Sequence, residues 1–259
     1  MNGMTITTYD VPPATLTVDE VGAGRPFLLL HGGAGPVSFL GFAARLAAER
    51  PARVLTPTLP GWNGTPRPAE ITTVRDLARL QVGLLEHLDL TGVTVVGNSI
   101  GGWLAAEMAL LASPRVSGVV IMNGVGLDVP GHPVADFFAL SLDELTDLSY
   151  ADPDRFRPDP STFSDAQRAA MAGNREAIAL YAGRTMADPT LATRLSTVDV
   201  PAMVLWGQSD RVVDPEYGLA YAAAIPTASH VPLEHTGHLP QLESPERTIE
   251  ALWEFSQKP

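Results

Sequence analysis

The residues best placed to do chemistry lie in Val93-Thr-Val-Val-Gly-Asn-Ser-Ile-Gly-Gly-Trp103, where one serine stands among glycines. Four β-branched residues precede the first glycine, and helical spacing of apolar residues follows the last. Gly97-Asn98-Ser99-Ile100-Gly101 therefore matches G-x-S-x-G in the setting that motif needs, between a strand and a helix. So sharp a turn holds its serine in a strained backbone conformation and needs small residues two positions away on either side. Gly97 and Gly101 meet that need, and Gly102 lets the helix lie close to the sheet. The helix N-terminus adds unpaired N–H groups and partial positive charge, which suit a developing oxyanion. A glycine-rich turn with a capping serine would use the same residues. Ser99 is a nucleophile only if a base and an orienting acid can reach it.

Cysteine is absent, so thiolate chemistry and cysteine-held metals are excluded and the base must be sought among six histidines. His31 belongs to a Leu-His-Gly-Gly turn, His87 to an amphipathic helix, His132 to the middle of the chain and His230 to a strand. His235 and His238 lie in the loop after the last expected strand, and Gly237 gives that loop freedom to swing an imidazole over the sheet edge. His238 is the expected base, with His235 as the alternative. For the acid, Asp210 and Asp214 both follow the buried run 202–206. Asp214 precedes Pro215, the pattern of a helix cap with proline at the first helical position, so capping accounts for it. Asp210 has no such structural employment and is the expected orienter. The oxyanion would take the amides of Ile100, just after the serine, and Gly33, in the loop after the third strand.

These residues need a scaffold that carries them to one place. Strand-like runs fall at 5–9, 15–21, 27–31, 53–57, 93–96, 116–122, 202–206 and 228–233. Helical spacing falls at 39–50, 73–88, 103–111 and 245–255. Strand and helix alternate, which argues for an α/β fold with a mostly parallel sheet covered on both faces. The alternation breaks at 124–189, a stretch without strand-like runs. It holds two capping boxes, Ser141-Leu-Asp-Glu144 and Ser164-Asp-Ala-Gln167. It reads as a helical insertion into a core formed by 1–123 and 190–259.

With 17 basic and 29 acidic side chains the net charge is −12, and the chain's only lysine is Lys258. That field repels polyanions, so nucleic acid is not an expected partner. No run approaches the roughly 18 apolar residues of a membrane span. The N-terminus lacks the basic and apolar regions of a signal peptide. The expectation is a cytoplasmic protein without a membrane partner.

Taken together, Leu30-His31-Gly32-Gly33, Leu59-Pro60-Gly61, Gly97-Asn98-Ser99-Ile100-Gly101-Gly102, Trp206-Gly207-Gln208-Ser209-Asp210 and Gly237-His238 resemble the α/β-hydrolase-fold serine hydrolases, in that family's order of nucleophile, acid and histidine. The resemblance covers nearly the whole chain. It implies an eight-stranded, mostly parallel sheet with helices on both faces, and a helical lid at 124–189. There are two departures. Thr58 stands where many members have aspartate. The Gly-Asn-Ser-x-Gly-Gly form is similar to that of carbon–carbon hydrolases of ring-fission dienones, yet Leu239 stands where those usually have tryptophan. Serine at the elbow, not aspartate, argues against haloalkane dehalogenase or epoxide hydrolase chemistry.

The mechanism implied is two-step acyl transfer by Ser99, His238 and Asp210, with neither metal nor organic cofactor. The aromatics Trp62, Trp103, Phe137, Phe138, Phe163 and Tyr181 are the candidate pocket walls, or else they only pack the insertion onto the core. The substrate expected from the sequence is a small to medium apolar ester. A carbon–carbon hydrolase and a receptor-like binder without turnover are the alternatives.

Overall fold

Apolar side chains alternate along the central strands and so supply two cores, one on each face of a single sheet. Residues 3–258 are described by a computed structural model. Its strands are β1 (Thr5–Val11), β2 (Ala14–Gly22), β3 (Arg25–Leu30), β4 (Ala52–Pro57), β5 (Val93–Asn98), β6 (Val116–Met122), β7 (Ala202–Gly207) and β8 (Ala228–Leu233). They form one eight-stranded sheet in the order β1-β2-β4-β3-β5-β6-β7-β8. β2 pairs antiparallel with β1 and β4, and every other pairing is parallel. This is the α/β-hydrolase fold expected from the sequence.

Helices α1 (Val37–Glu49), α2 (Val74–His87) and α3 (Ile100–Leu110) connect the first six strands. On β3, Leu28 and Leu30 join the core beneath α2 and α3, while Phe27 and Leu29 join the core beneath α1. Val119 and Ile121 of β6 face the first core, and Val120 and Met122 the second. The expected helix at 103–111 begins earlier, at Ile100. Apolar spacing misses that first turn because Gly101 and Gly102 are poor helix formers. Their smallness serves packing instead: a β-carbon on Gly101 would overlap the Leu30 carbonyl, and one on Gly102 would lie 2.7 Å from the Gly124 Cα.

Between β6 and β7 the chain forms α4 (Leu142–Ser149), the short α5 (Pro153–Phe156) and α6 (Asp165–Ala182). Both expected capping boxes form, with Ser141 accepting from the Glu144 amide and Ser164 from the Gln167 amide. The two ends of the segment meet in a parallel bridge between Gly126 and Ala187. After it α7 (Leu191–Leu195) leads into β7, α8 (Pro215–Ala224) joins β7 to β8, and α9 (Pro240–Glu243) and α10 (Pro245–Ser256) close the fold. Asp214 caps α8 by accepting from the Tyr217 amide at 3.0 Å, the structural employment its Asp-Pro context implies.

One buried charge ties the helix after Ser99 to the root of the insertion. Glu107 of α3 is 3% exposed and takes two hydrogen bonds from the Arg194 guanidinium, at 2.6 and 2.8 Å. Arg194 also bonds Asp188 at 2.6 Å, and Arg75 approaches Glu107 at 3.5 Å. Removing one partner of a buried pair strands the other charge. Arg194→Met is expected to destabilise the protein by about 3 kcal/mol, and Arg194→Lys by less. Urea unfolding of the two variants beside wild type checks this.

Candidate active site

β5 ends at Asn98, and Ser99 turns the chain with φ 59° and ψ −121° before α3 starts. A serine at positive φ is strained, and the turn persists because its surroundings over-determine it. The Ser99 amide donates to Met122, and its carbonyl accepts from Gly102 and Val125. A β-carbon on Gly97 would collide with the Gly101 carbonyl. Gly32 packs so tightly that a β-carbon there would stand 2.9 Å from the Ser99 Cβ. The serine hydroxyl is thus carried at the carboxyl ends of β3 and β5, half-exposed in a cavity wall.

The loops after β7 and β8 bring Asp210 and His238 together. His238 Nδ1 lies 2.8 Å from Asp210 Oδ2, and both residues are buried. The second carboxylate oxygen of Asp210 accepts from the amides of Val212 (2.8 Å) and Val213 (3.1 Å). Asn123, just past β6, donates to Asp210 Oδ2 at 2.6 Å and accepts from the Gly207 amide at 3.3 Å. It is fully buried at φ 46°, a conformation asparagine tolerates better than most residues. Four N–H donors thus face a carboxylate that only accepts, and His238 Nε2 is left to act elsewhere. The His238 carbonyl accepts from Asn98 Nδ2 at 2.8 Å, so the residue before Ser99 ties the elbow to the histidine loop. His235 is exposed and Asp214 is engaged at its helix cap, so neither joins this group.

Ser99 and His238 line one cavity of about 100 Å³, with Gly33 and Ile100 in the same wall. Its apolar lining is Phe137, Leu145, Ile178, Met186, Val212 and Leu239, and no arginine or lysine takes part. Of the six aromatics expected there, only Phe137 lines it. Trp62 is fully buried and stacks on Tyr181 at 5.8 Å, while the Tyr181 hydroxyl donates to the Pro60 carbonyl. Trp103 packs against Gly126 and points its indole N–H at Glu107. Phe138 lies under the Arg184 guanidinium, and Phe163 sits half-exposed at the end of a short turn. Trp62, Trp103, Phe138 and Tyr181 pack into the core or against it, and apart from Phe137 the apolar wall is built from aliphatic side chains and Met186. Leu239 carries a readable signal in its place beside His238, and Ile178 in its place on the buried stripe of α6.

His31 is wholly buried behind the Gly32-Gly33 turn, and desolvation pushes its pKa down to about 4. The neutral ring donates from Nδ1 to the Gly32 carbonyl at 2.9 Å and accepts the Leu59 amide on Nε2 at 3.1 Å. It thereby fixes the loop that carries Gly33. Among the described residues one group has donor atoms close enough to share a cation: His132, Asp214 and Glu216, within 4.8 Å of one another. Glu216 is exposed, Asp214 already caps α8, and none of the three lines the cavity.

Residues 27–251 match the alpha/beta hydrolase family, and the chain belongs to it. It is 29% identical over 264 residues to a 2-hydroxy-6-oxononadienedioate/2-hydroxy-6-oxononatrienedioate hydrolase of Burkholderia vietnamiensis, covering 93% of this chain and 90% of the relative. It is 28% identical over 254 residues to a 2-hydroxymuconate semialdehyde hydrolase of Pseudomonas putida, covering 91% and 88%. Among solved structures, a thermophilic esterase from Thermogutta terrifontis superposes with a TM-score of 0.74 at 26% identity, over 98% of this chain and 97% of that one. No helix among the described residues is long and apolar enough to cross a membrane.

Two measurements test these roles. Asn123→Ala removes one of the four donors to Asp210, a loss of about 1–3 kcal/mol, and is expected to lower kcat roughly 10- to 100-fold. Steady-state kinetics on a substrate that wild type turns over reads this. His31 protonates near 6.5 in the unfolded chain but only near 4 when folded, so the unfolded state binds more protons between those values. Stability held above pH 6.5 is therefore lost as pH falls toward 4, by up to about 3 kcal/mol. Denaturant midpoints across that window are expected to vary less with pH in His31→Gln.

Proposed function

We propose that the protein is a serine hydrolase working by two-step acyl transfer. Ser99 Oγ attacks a carbonyl carbon while His238 Nε2 takes its proton, and Asp210 steadies the resulting imidazolium through Nδ1. The amides of Gly33 and Ile100 receive the oxyanion, each worth about 3–4 kcal/mol of barrier. The imidazolium then protonates the leaving group, and water, activated by the same histidine, releases the acyl fragment. The observation that carries this reading is the 2.8 Å contact between His238 and the buried Asp210, in the wall of the cavity that holds Ser99. Residues 124–189 act as its lid on a core of 1–123 and 190–259, since Phe137, Leu145, Ser149, Ile178 and Met186 of the cavity wall all come from that segment.

For the substrate, the sequence alone favours an ester, whereas the relatives favour a ring-fission dienone cleaved at a carbon–carbon bond. We place the dienone first, because relatives with such names align with about nine-tenths of the chain. In this reading a carbon leaving group departs with its electron pair delocalised into a neighbouring carbonyl, and His238 returns the proton to it. Hydrolysis of a neutral carboxylic ester is the second reading. It is favoured by a wall without arginine or lysine, which offers no cation to a dioate.

A panel of p-nitrophenyl esters and coloured dienones, run on wild type and Ser99→Ala, separates the readings. Wild type is expected to bleach a dienone faster than it cleaves any ester, and to be labelled on Ser99 by a fluorophosphonate. Ser99→Ala is expected to lose at least about a thousandfold in kcat. Turnover retained in Ser99→Ala overturns the acyl-transfer mechanism. Ester cleavage without bleaching reverses the order of the two substrates, and ligand capture without turnover makes the protein a binder.

A further inference from the structure

Glu243, the last residue of α9, is a half-buried carboxylate with no cationic partner among the described residues. Both its oxygens are spent on backbone amides from two separate parts of the chain. One accepts from Gly237, immediately before His238; the other accepts from Ala151, just after α4 in the insertion, at 2.8 Å. The next amide along continues the seam, since His238 N–H donates to the Ser149 carbonyl at 2.6 Å. There is no slack here: a β-carbon on Gly237 would overlap the Ser149 carbonyl and stand 2.9 Å from the Glu243 carboxylate. Burial pushes the Glu243 carboxyl upward, against the pull of the amides of Gly237, Ala151 and Asp152. The neighbouring Tyr150 phenol is itself pushed up to about 12 by burial. A half-buried carboxylate without a cation depends on such hydrogen bonds to offset its desolvation.

We propose that Glu243 is a positioning residue that fixes the His238 loop to the α4 end of the insertion, so that the imidazole stays aimed at Ser99. This rests on the reading of His238 as the general base. Glu243 does not itself line the cavity, so its loss is read in turnover more than in substrate binding. It also makes one prediction that is independent of activity: the amides of Gly237 and Ala151 share one acceptor side chain and must lose protection together.

The test uses Glu243→Ala, which removes both acceptors, and the near-isosteric Glu243→Gln, which keeps one acceptor oxygen and guards against a fold lost in the first variant. Amide hydrogen exchange is expected to quicken at least about tenfold at both Gly237 and Ala151 in Glu243→Ala, and at one of them in Glu243→Gln. With a substrate from the panel above, kcat is expected to fall at least about tenfold in Glu243→Ala and by less in Glu243→Gln, with KM within about threefold of wild type. Unchanged exchange at Gly237 in both variants overturns the proposal whatever the turnover. So does a kcat within about twofold of wild type in both, or a loss expressed in KM alone. Wild type without Ser99-dependent turnover overturns the catalytic reading instead, and the exchange measurement then decides the clamp by itself.

Discussion

The site depends on a negative charge kept away from water. Asp210 can sit buried at the end of β7 only because every direction it faces offers an N–H: two backbone amides of its own turn, the Asn123 amide and the His238 ring. That demand fixes the neighbours. Asn123 must stand at the end of β6 in a left-handed conformation, and the loop after β8 must fold back over β7. The imidazole is thereby held by its Nδ1 against a carboxylate that is itself fixed from three other directions.

The sheet makes this convergence possible. Parallel strands β3, β5, β6, β7 and β8 all deliver their carboxyl ends to one edge. The Gly32-Gly33 turn, Ser99, Asn123, Asp210 and His238 therefore arrive from five different strands without any of them leaving its own loop. Alternation along those strands feeds two cores at once, so the elements behind the site are braced on both faces. The glycines at 97, 101 and 102 then let α3 press against β3 and β5 closely enough to aim the elbow.

Much of this is legible in the sequence because it is local. The strand–turn–helix around Ser99 shows in six consecutive residues, and Asp214 separates itself from Asp210 by the proline that follows it. The start of α3 is misplaced by three residues because two glycines hide its first turn. The cavity wall is not legible. Large aromatic rings look like substrate walls, but the same area serves equally well to seal one element onto another, as the stacked Trp62 and Tyr181 do. Asn123 and Glu243 carry no local mark. A polar residue after a strand reads as a turn, and a glutamate near a helix end reads as solvated surface. Their partners lie 87 and 92 residues away, and only the tertiary pairing of β6 with β7, and of the insertion with α9, reveals them.

The neck of the insertion has an evolutionary consequence. Residues 126 and 187 lie side by side, so the whole roof leaves the core and returns to it at a single point. The hydroxyl, the imidazole and the carboxylate all belong to the part left behind. A recombinant roof joined at these two adjacent junctions must still bring a carbonyl where Ser149 meets the His238 amide and an N–H where Ala151 meets Glu243.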